Sequence, residues 1–240
     1  MKILYYLLRS ISFVLLFVLS TKVIAHQLTV HLPEQQLNLN YMVPARLSQI
    51  ISDTQAQTTD NLFFPAAVLA SHSKQKEVAT LRHSISKQLT RNNSDDSSKV
   101  LNQLTNFRYV GREWVSTDFD ELRLKAELNP MLSGRYDLYV SPRKNTVEIL
   151  GYVKNSESLP MASSQDLIHY LDSVEALTSG DLDELYIIHS DGTVIKTQLG
   201  YWQPKRYYLS PGAKIFVGSK NNPNLNKEIA ELLRYAVEKP

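Results

Sequence analysis

The 240-residue chain contains no cysteine. That excludes disulfides, a thiolate nucleophile, a cysteine-based zinc site and lipid attachment to a cysteine. Glycine is scarce and unevenly placed: all eight glycines lie between Gly111 and Gly218. The first half therefore reads as helix-rich and the second as turn-rich and β-rich, because glycine serves tight turns and costs stability inside helices. Metal-ligand spacing is missing too. The six histidines show neither H-x-x-x-H nor H-E-x-x-H, and no metal or other cofactor is expected. A Gly-rich phosphate loop is also absent.

Excess charge of either sign is lacking once the N-terminus is set aside. Lys2 and Arg9 form a positive n-region, Ile11 to Leu19 is apolar apart from Ser12, and Val23-Ile24-Ala25 ends in a small residue. This is the pattern of a secretion signal over 1–25, cut after Ala25. The apolar run is too short for a span of about 20 residues. Removing it takes Lys2, Arg9 and Lys22 away, leaving 26 − 3 = 23 Lys+Arg against 24 Asp+Glu. The mature chain thus has no electrostatic footprint for nucleic acid, and no stable membrane span is expected in it. A signal without a lipobox points to the periplasm.

Taken in order, Leu28, Val30 and Leu32, then Leu37, Leu39 and Tyr41, alternate with polar residues on either side of Pro33-Glu34-Gln35. That is a β-hairpin signal. Residues 44–107 read as a helical insertion between strands. Pro44 suits the first helical position, Pro65 opens a short helix, and Val78, Leu81, Ile85 and Leu89 recur at helical spacing. Asn92 to Ser98 is a polar break, after which Val100, Leu101, Leu104 and Phe107 form a second stripe. A strand is expected over 108–115, with Leu122 and Leu124 alternating after it, and then Tyr136, Leu138 and Val140. Pro142 marks the end of the first unit.

The second unit begins at Thr146, with a strand continuing past Gly151. Ser163 and Asp166 resemble a capping box for a helix carrying Leu167, Ile168, Leu171, Val174 and Leu177. Asp191-Gly192 between apolar runs signals a hairpin. Pro211-Gly212 precedes the closing strand 214–217. Hairpin or strands, one helix, then more strands is the order of a β-grasp domain. Asn222 and Pro223 start a terminal helix with Leu225, Ile229, Leu232, Leu233, Ala236 and Val237 on one face. That helix is expected to dock on the protein's own sheet.

Candidate binding residues cluster between Gly111 and Pro142. Arg112 beside Trp114 offers a planar fork for carboxylates or phosphates next to an aromatic face. The alternative is an ion pair inside the protein with a nearby aspartate. Asp118-x-Asp120 lacks the further ligands and the glycine of a calcium loop. It reads as a strand-end cluster neutralised by Arg123. Tyr201 and Trp202, followed by Tyr207 and Tyr208, suit sugar stacking or core packing. Two S-x-x-K strings, Ser71 to Lys74 and Ser84 to Lys87, lack the partner motifs of a catalytic serine.

The order of Gly111-Arg112, Asp118-x-Asp120-x-x-Arg123, Asn129-Pro130-x-Leu132-x-Gly134-x-Tyr136, Pro142-Arg143, Gly151, Asp191-Gly192, Tyr201-Trp202 and Pro211-Gly212-Ala213 resembles the GfcC/YjbG-like capsule and exopolysaccharide biosynthesis family. Lys144 and Gln203 depart from that pattern at turns. The resemblance implies an α+β fold of two tandem β-grasp domains, similar to the ligand-binding domains of polysaccharide exporters. The first would span 26–145 with a helical insertion at about 44–107, the second 146–218, and a C-terminal amphipathic helix 219–240. The implied role is a soluble, non-enzymatic periplasmic accessory working with polysaccharide or its export machinery. The rival readings are a polysaccharide-modifying enzyme using Asp118, Asp120 or Glu121, and a purely structural envelope module.

Overall fold

The computed structural model describes residues 27–162, 165–172, 174–197 and 205–239. The leader with its cleavage point, Ser163, and the Tyr201-Trp202 pair lie outside the described residues. The architecture is mixed α+β, with two larger sheets, two short two-stranded pairings and six α-helices among the described residues.

Strands β1 (Leu28–Leu32) and β2 (Leu37–Tyr41) pair antiparallel, from Leu28↔Tyr41 to Leu32↔Leu37. The alternation buries Leu28, Val30 and Leu32 completely. A short strand β3 (Ala45–Arg46) follows and only then helix α1 (Leu47–Gln57). Pro44 therefore does not open the helix. The start is set by tertiary partners: the Leu47 N–H donates to the Pro130 carbonyl (3.1 Å) and the Ser48 N–H to Asn129 Oδ1 (3.1 Å). These satisfy two of the donors that every helix start leaves free. Asn129-Pro130, read as a turn, also serves as the cap of a distant helix.

The segment 44–107 is not wholly helical. Strand β4 (Val68–Ser71) lies inside it and forms one edge of the first sheet, ordered β2-β1-β7-β4, with β7 spanning Gly134–Tyr139. Val68-Leu69-Ala70 is a continuous apolar run, whose periodicity separates strand from buried helix poorly. β7 runs parallel to β1 (Leu28↔Gly134) and antiparallel to β4 (Val68↔Tyr139). Pro65 sits in a single 3₁₀ turn, Phe64–Ala66.

Helices α2 (Gln75–Asn92) and α3 (Asp95–Thr105) form the excursion proper. Asn93 leaves α2 in the left-handed region (φ 47°), and the Ser94 hydroxyl accepts from the Ser97 N–H (3.1 Å) to start α3. Strand β5 (Arg108–Tyr109) is only two residues long. Leu122 and Leu124 stand on helix α4 (Phe119–Leu124), not on a strand. Leu122 is buried and Leu124 is 77% exposed, an unlike pair whose shared chemistry suggested a common face. Strand β6 (Met131–Leu132) pairs with β3.

The second sheet comprises β8 (Thr146–Gly151), β9 (Glu157–Pro160), β10 (Gly180–Ile188), β11 (Val194–Lys196) and β12 (Lys214–Ser219), ordered β11-β10-β12-β8-β9. β12 is parallel to β8, and β10 and β11 form the hairpin around Asp191-Gly192. β8 stops at Gly151, whose N–H donates to Gln103 Oε1 (2.7 Å) and whose carbonyl accepts from Gln103 Nε2 (3.1 Å). The Gln103 amide from α3 thus takes the place of a further ladder bond. Helix α5 (Leu167–Leu171) is short, and Asp166 makes no side-chain cap bond. Leu177 lies beyond it, its N–H bonded to the Tyr152 carbonyl (2.9 Å).

Helix α6 (Pro223–Leu233) starts as Asn222 Oδ1 accepts from the Leu225 N–H (3.1 Å). It ends before Ala236 and Val237, which form strand β13 and pair with β5. One apolar cluster joins Val78, Ile85 and Leu89 of α2, Val100 and Leu104 of α3, Leu150, Tyr186 and Phe216 of the second sheet, and Ile229, Leu232 and Leu233 of α6. α2, α3 and α6 together therefore cover one face of the second sheet. Among the described residues no helix is long and apolar enough to cross a membrane.

Candidate functional site

Residues 110–113 run along the outer edge of β4. The Ser71 N–H donates to the Gly111 carbonyl (2.8 Å) and the Glu113 N–H to the Leu69 carbonyl (2.7 Å). Gly111 is required there: a Cβ would lie 2.5 Å from the Ser71 carbonyl oxygen and 2.8 Å from the Gln75 nitrogen. This close approach directs Arg112 inward, where it is 5% exposed.

The Arg112 guanidinium reaches two backbone carbonyls. Nη1 donates to Arg234 at the end of α6 (3.3 Å), and Nη2 to Ser190 in the β10–β11 hairpin (3.2 Å). A cation near helix-end carbonyls also suits the negative end of the dipole. Burial pulls the Arg112 pKa down to about 10; Asp191 opposes that fall and Arg234 adds to it. The side chain stays charged at neutral pH. Its partners are carbonyls, and among the described residues it forms no ion pair with an aspartate.

Trp114, 43% exposed, gathers the surrounding charge. Its ring centroid lies 5.4 Å from the Arg112 guanidinium carbon and 3.9 Å from that of Arg234. Each such contact contributes about 0.5–2 kcal/mol depending on exposure. Tyr235 meets the indole edge-on at 5.3 Å. Arg234 is held in turn by Glu231 (2.7 Å) and by the Gly192 carbonyl (2.8 Å from Nε). Gly192 has φ +89°, and a Cβ there would lie 2.6 Å from the indole ring. The Asp191-Gly192 turn is thus both a hairpin turn and the seat of the Trp114 ring.

Arg112, Trp114, Thr117, Asp118, Glu121 and Asp191 line a cleft of ≈390 Å³. Asp118 is committed locally: its Oδ1 accepts from the N–H groups of Asp120 (2.9 Å) and Glu121 (3.2 Å), capping α4. The cluster is a helix start, not a strand end. The Glu121 carboxylate accepts from the Ser116 hydroxyl (2.7 Å) and from Lys125 (3.0 Å), and these bonds hold its pKa below the usual value. Asp120 and Arg123 point away to solvent, 3.5 Å apart and both largely exposed. No network links Arg123 to Arg112. Tyr207 is buried in the second sheet's core and Tyr208 is 56% exposed.

Asp191, Arg234 and Tyr235 belong to the site and escaped the sequence reading. Asp191-Gly192 carried a turn signal and nothing more, and Arg234 looked like the solvated side of a helix. The S-x-x-K serine Ser71 bonds Ser73 (3.0 Å), while Lys74 is engaged by Glu113 (2.6 Å). Among the described residues no three His, Asp or Glu side chains gather to hold a metal ion.

Two family models match the chain. "Capsule biosynthesis GfcC, N-terminal" covers residues 25–143, and "Capsule biosynthesis GfcC C-terminal" covers 155–238. A relative in Escherichia coli (strain K12), described as "Uncharacterized protein YjbG", is 26% identical over 186 residues, covering 72% of this chain and 76% of the relative. Together the two models take in both sides of the Arg112–Trp114 cluster, from the β4 edge to the end of α6, and the chain belongs to the GfcC capsule biosynthesis family.

Proposed function

We propose that this chain is a periplasmic, non-enzymatic accessory of capsule or exopolysaccharide assembly or export, and that the Arg112–Trp114 cleft is its contact with saccharide. Family membership supports the role in capsule assembly. The cleft supports the contact. It sets a half-exposed indole, electron-rich and braced by two cations, beside acceptor groups of Asp191 and Glu121. Sugars are recognised by such a pairing of an aromatic face with polar groups that fix ring orientation. Arg112 acts as the brace, since its guanidinium already bonds two carbonyls.

The fold reading within this proposal is two β-grasp units. In each sheet a starting hairpin (β1–β2, β8–β9) is followed by a helix (α1, α5), and a late strand (β7, β12) returns parallel to the first. On this reading the units span 26–145 and 146–218, and 219–240 carries the terminal amphipathic helix. Catalysis by the acidic cluster has little support: Asp118 is a helix cap, Glu121 is held ionised, and Asp120 faces solvent.

Deleting the gene tests the role. Surface polysaccharide is expected to fall in amount or change in chain length, and unchanged polysaccharide overturns the proposal. N-terminal sequencing of the protein from a periplasmic extract tests the address, with His26 the expected first residue.

A further inference from the structure

Arg112, which lines the Trp114 cleft, also lines a second cavity of ≈70 Å³ formed by residues of the β1–β2 turn, β7, β10, β12 and the end of α6. One water occupies about 10–15 Å³ by the same measure. The space therefore suits a few waters or one compact oxyanion and is too small for a sugar ring.

Two polar groups at this cavity lack a hydrogen-bond partner. Tyr139 is 5% exposed, and its buried hydroxyl has no hydrogen-bond partner. The ammonium of Lys214, the part-buried first residue of β12, makes neither a hydrogen bond nor an ion pair among the described residues; its one contact is a cation–π approach of 5.4 Å to the Phe107 ring centroid. Burial pushes its pKa down. A buried donor without an acceptor destabilises a protein, the more so when it is charged.

The other charges nearby are largely used. Lys144 pairs with Glu238, and Arg234 with Glu231. Glu148 stands opposite Lys214 across the β8–β12 pairing without closing to an ion pair. Its pKa is raised by burial, and that of Glu34 is raised by burial and then by Glu238.

We infer that this cavity binds a compact oxyanion, a carboxylate or a phosphate group, between the Lys214 ammonium and the Tyr139 hydroxyl. The inference goes beyond the capsule role and does not depend on it, because binding is measured on the pure protein. Two sources carry the shared chemistry: the carboxylate of an acidic sugar, and the phosphate of a phosphorylated carrier.

Isothermal titration of the purified mature chain with inorganic phosphate, glucuronate and neutral glucose tests it. Phosphate or glucuronate is expected to bind and glucose not to, the tighter of the two anions assigning the source. Lys214→Met is expected to weaken anion binding by about tenfold or more, as loss of one charge-assisted bond does. Tyr139→Phe keeps the ring and removes only the hydroxyl, so it is expected to fold and to bind several-fold more weakly. Absence of anion binding, equal binding of glucose, or wild-type affinity in the folded Tyr139→Phe and Lys214→Met proteins overturns the site.

Discussion

At the residue scale, Arg112 is a structural brace whose partners are carbonyls. Truncation to alanine leaves the Arg234 and Ser190 carbonyls short of a donor. A loss of about 2–3 kcal/mol is expected, since hydrogen bonds to charged groups contribute about 1.5–3 kcal/mol. Urea denaturation of Arg112→Ala checks this, and a loss below about 0.5 kcal/mol would contradict it. Gly192→Ala is expected to lose a similar amount, because its positive φ and the nearby indole both resist a Cβ. Glu121 provides a pH signature. Its folded pKa is below the unfolded value, so it stabilises the fold above about pH 4.5 and loses that contribution as pH falls through the folded value. Denaturation midpoints of wild type and Glu121→Gln should accordingly converge between pH 6 and pH 3. The sequence made Arg112 and Trp114 legible because arginine beside tryptophan is chemically conspicuous. It hid Arg234 and Asp191, which reach the cluster through contacts 42 or more positions away in the chain.

At the element scale, the regular elements with a long apolar period were readable: β1, β2, α2, α3 and the β10–β11 hairpin. The errors fell where tertiary partners override local signals. Pro44 yielded to a helix start capped by Asn129-Pro130, β4 hid inside a short apolar run, and Ala236-Val237 left the helix to pair with β5. Helix α6 shows the same dependence on a distant partner. Asn226 is fully buried; its Oδ1 accepts from the Ser219 N–H (2.8 Å), and its Nδ2 donates to the Ser219 carbonyl (2.8 Å) and to Glu184 (3.1 Å). These bonds join α6 to the end of β12. Asn226→Ala is expected to cost about 2–4 kcal/mol, because two buried backbone groups lose their partner. Thermal melts of that variant, beside an exposed control such as Lys227→Ala, give the comparison.

At the scale of the whole molecule, the core shared by α2, α3, the second sheet and α6 couples the two halves of the sequence. The first sheet closes a core of its own with α1 and α4, but α2 and α3, which lie in the same half of the chain, bury their apolar faces against strands and a helix that come later. Unfolding is therefore expected as a single calorimetric transition, with calorimetric and van't Hoff enthalpies in agreement. Two resolved transitions would contradict that coupling. The same arrangement places the Arg112–Trp114 cluster where the β4 edge, the Asp191-Gly192 hairpin and the end of α6 meet, so the site exists only when all three are in place. Composition told of a chain without cysteine chemistry, but such a junction has no local signature to read.

The cleft's role in polysaccharide assembly is the central claim, and Trp114 tests it with the least disturbance, being part-exposed at the rim. The measurement is surface polysaccharide in a deletion strain complemented with Trp114→Ala, at periplasmic protein levels matched to wild type. A several-fold fall in polysaccharide is predicted while the purified variant still melts in one cooperative transition. Wild-type output at matched protein level would contradict the account.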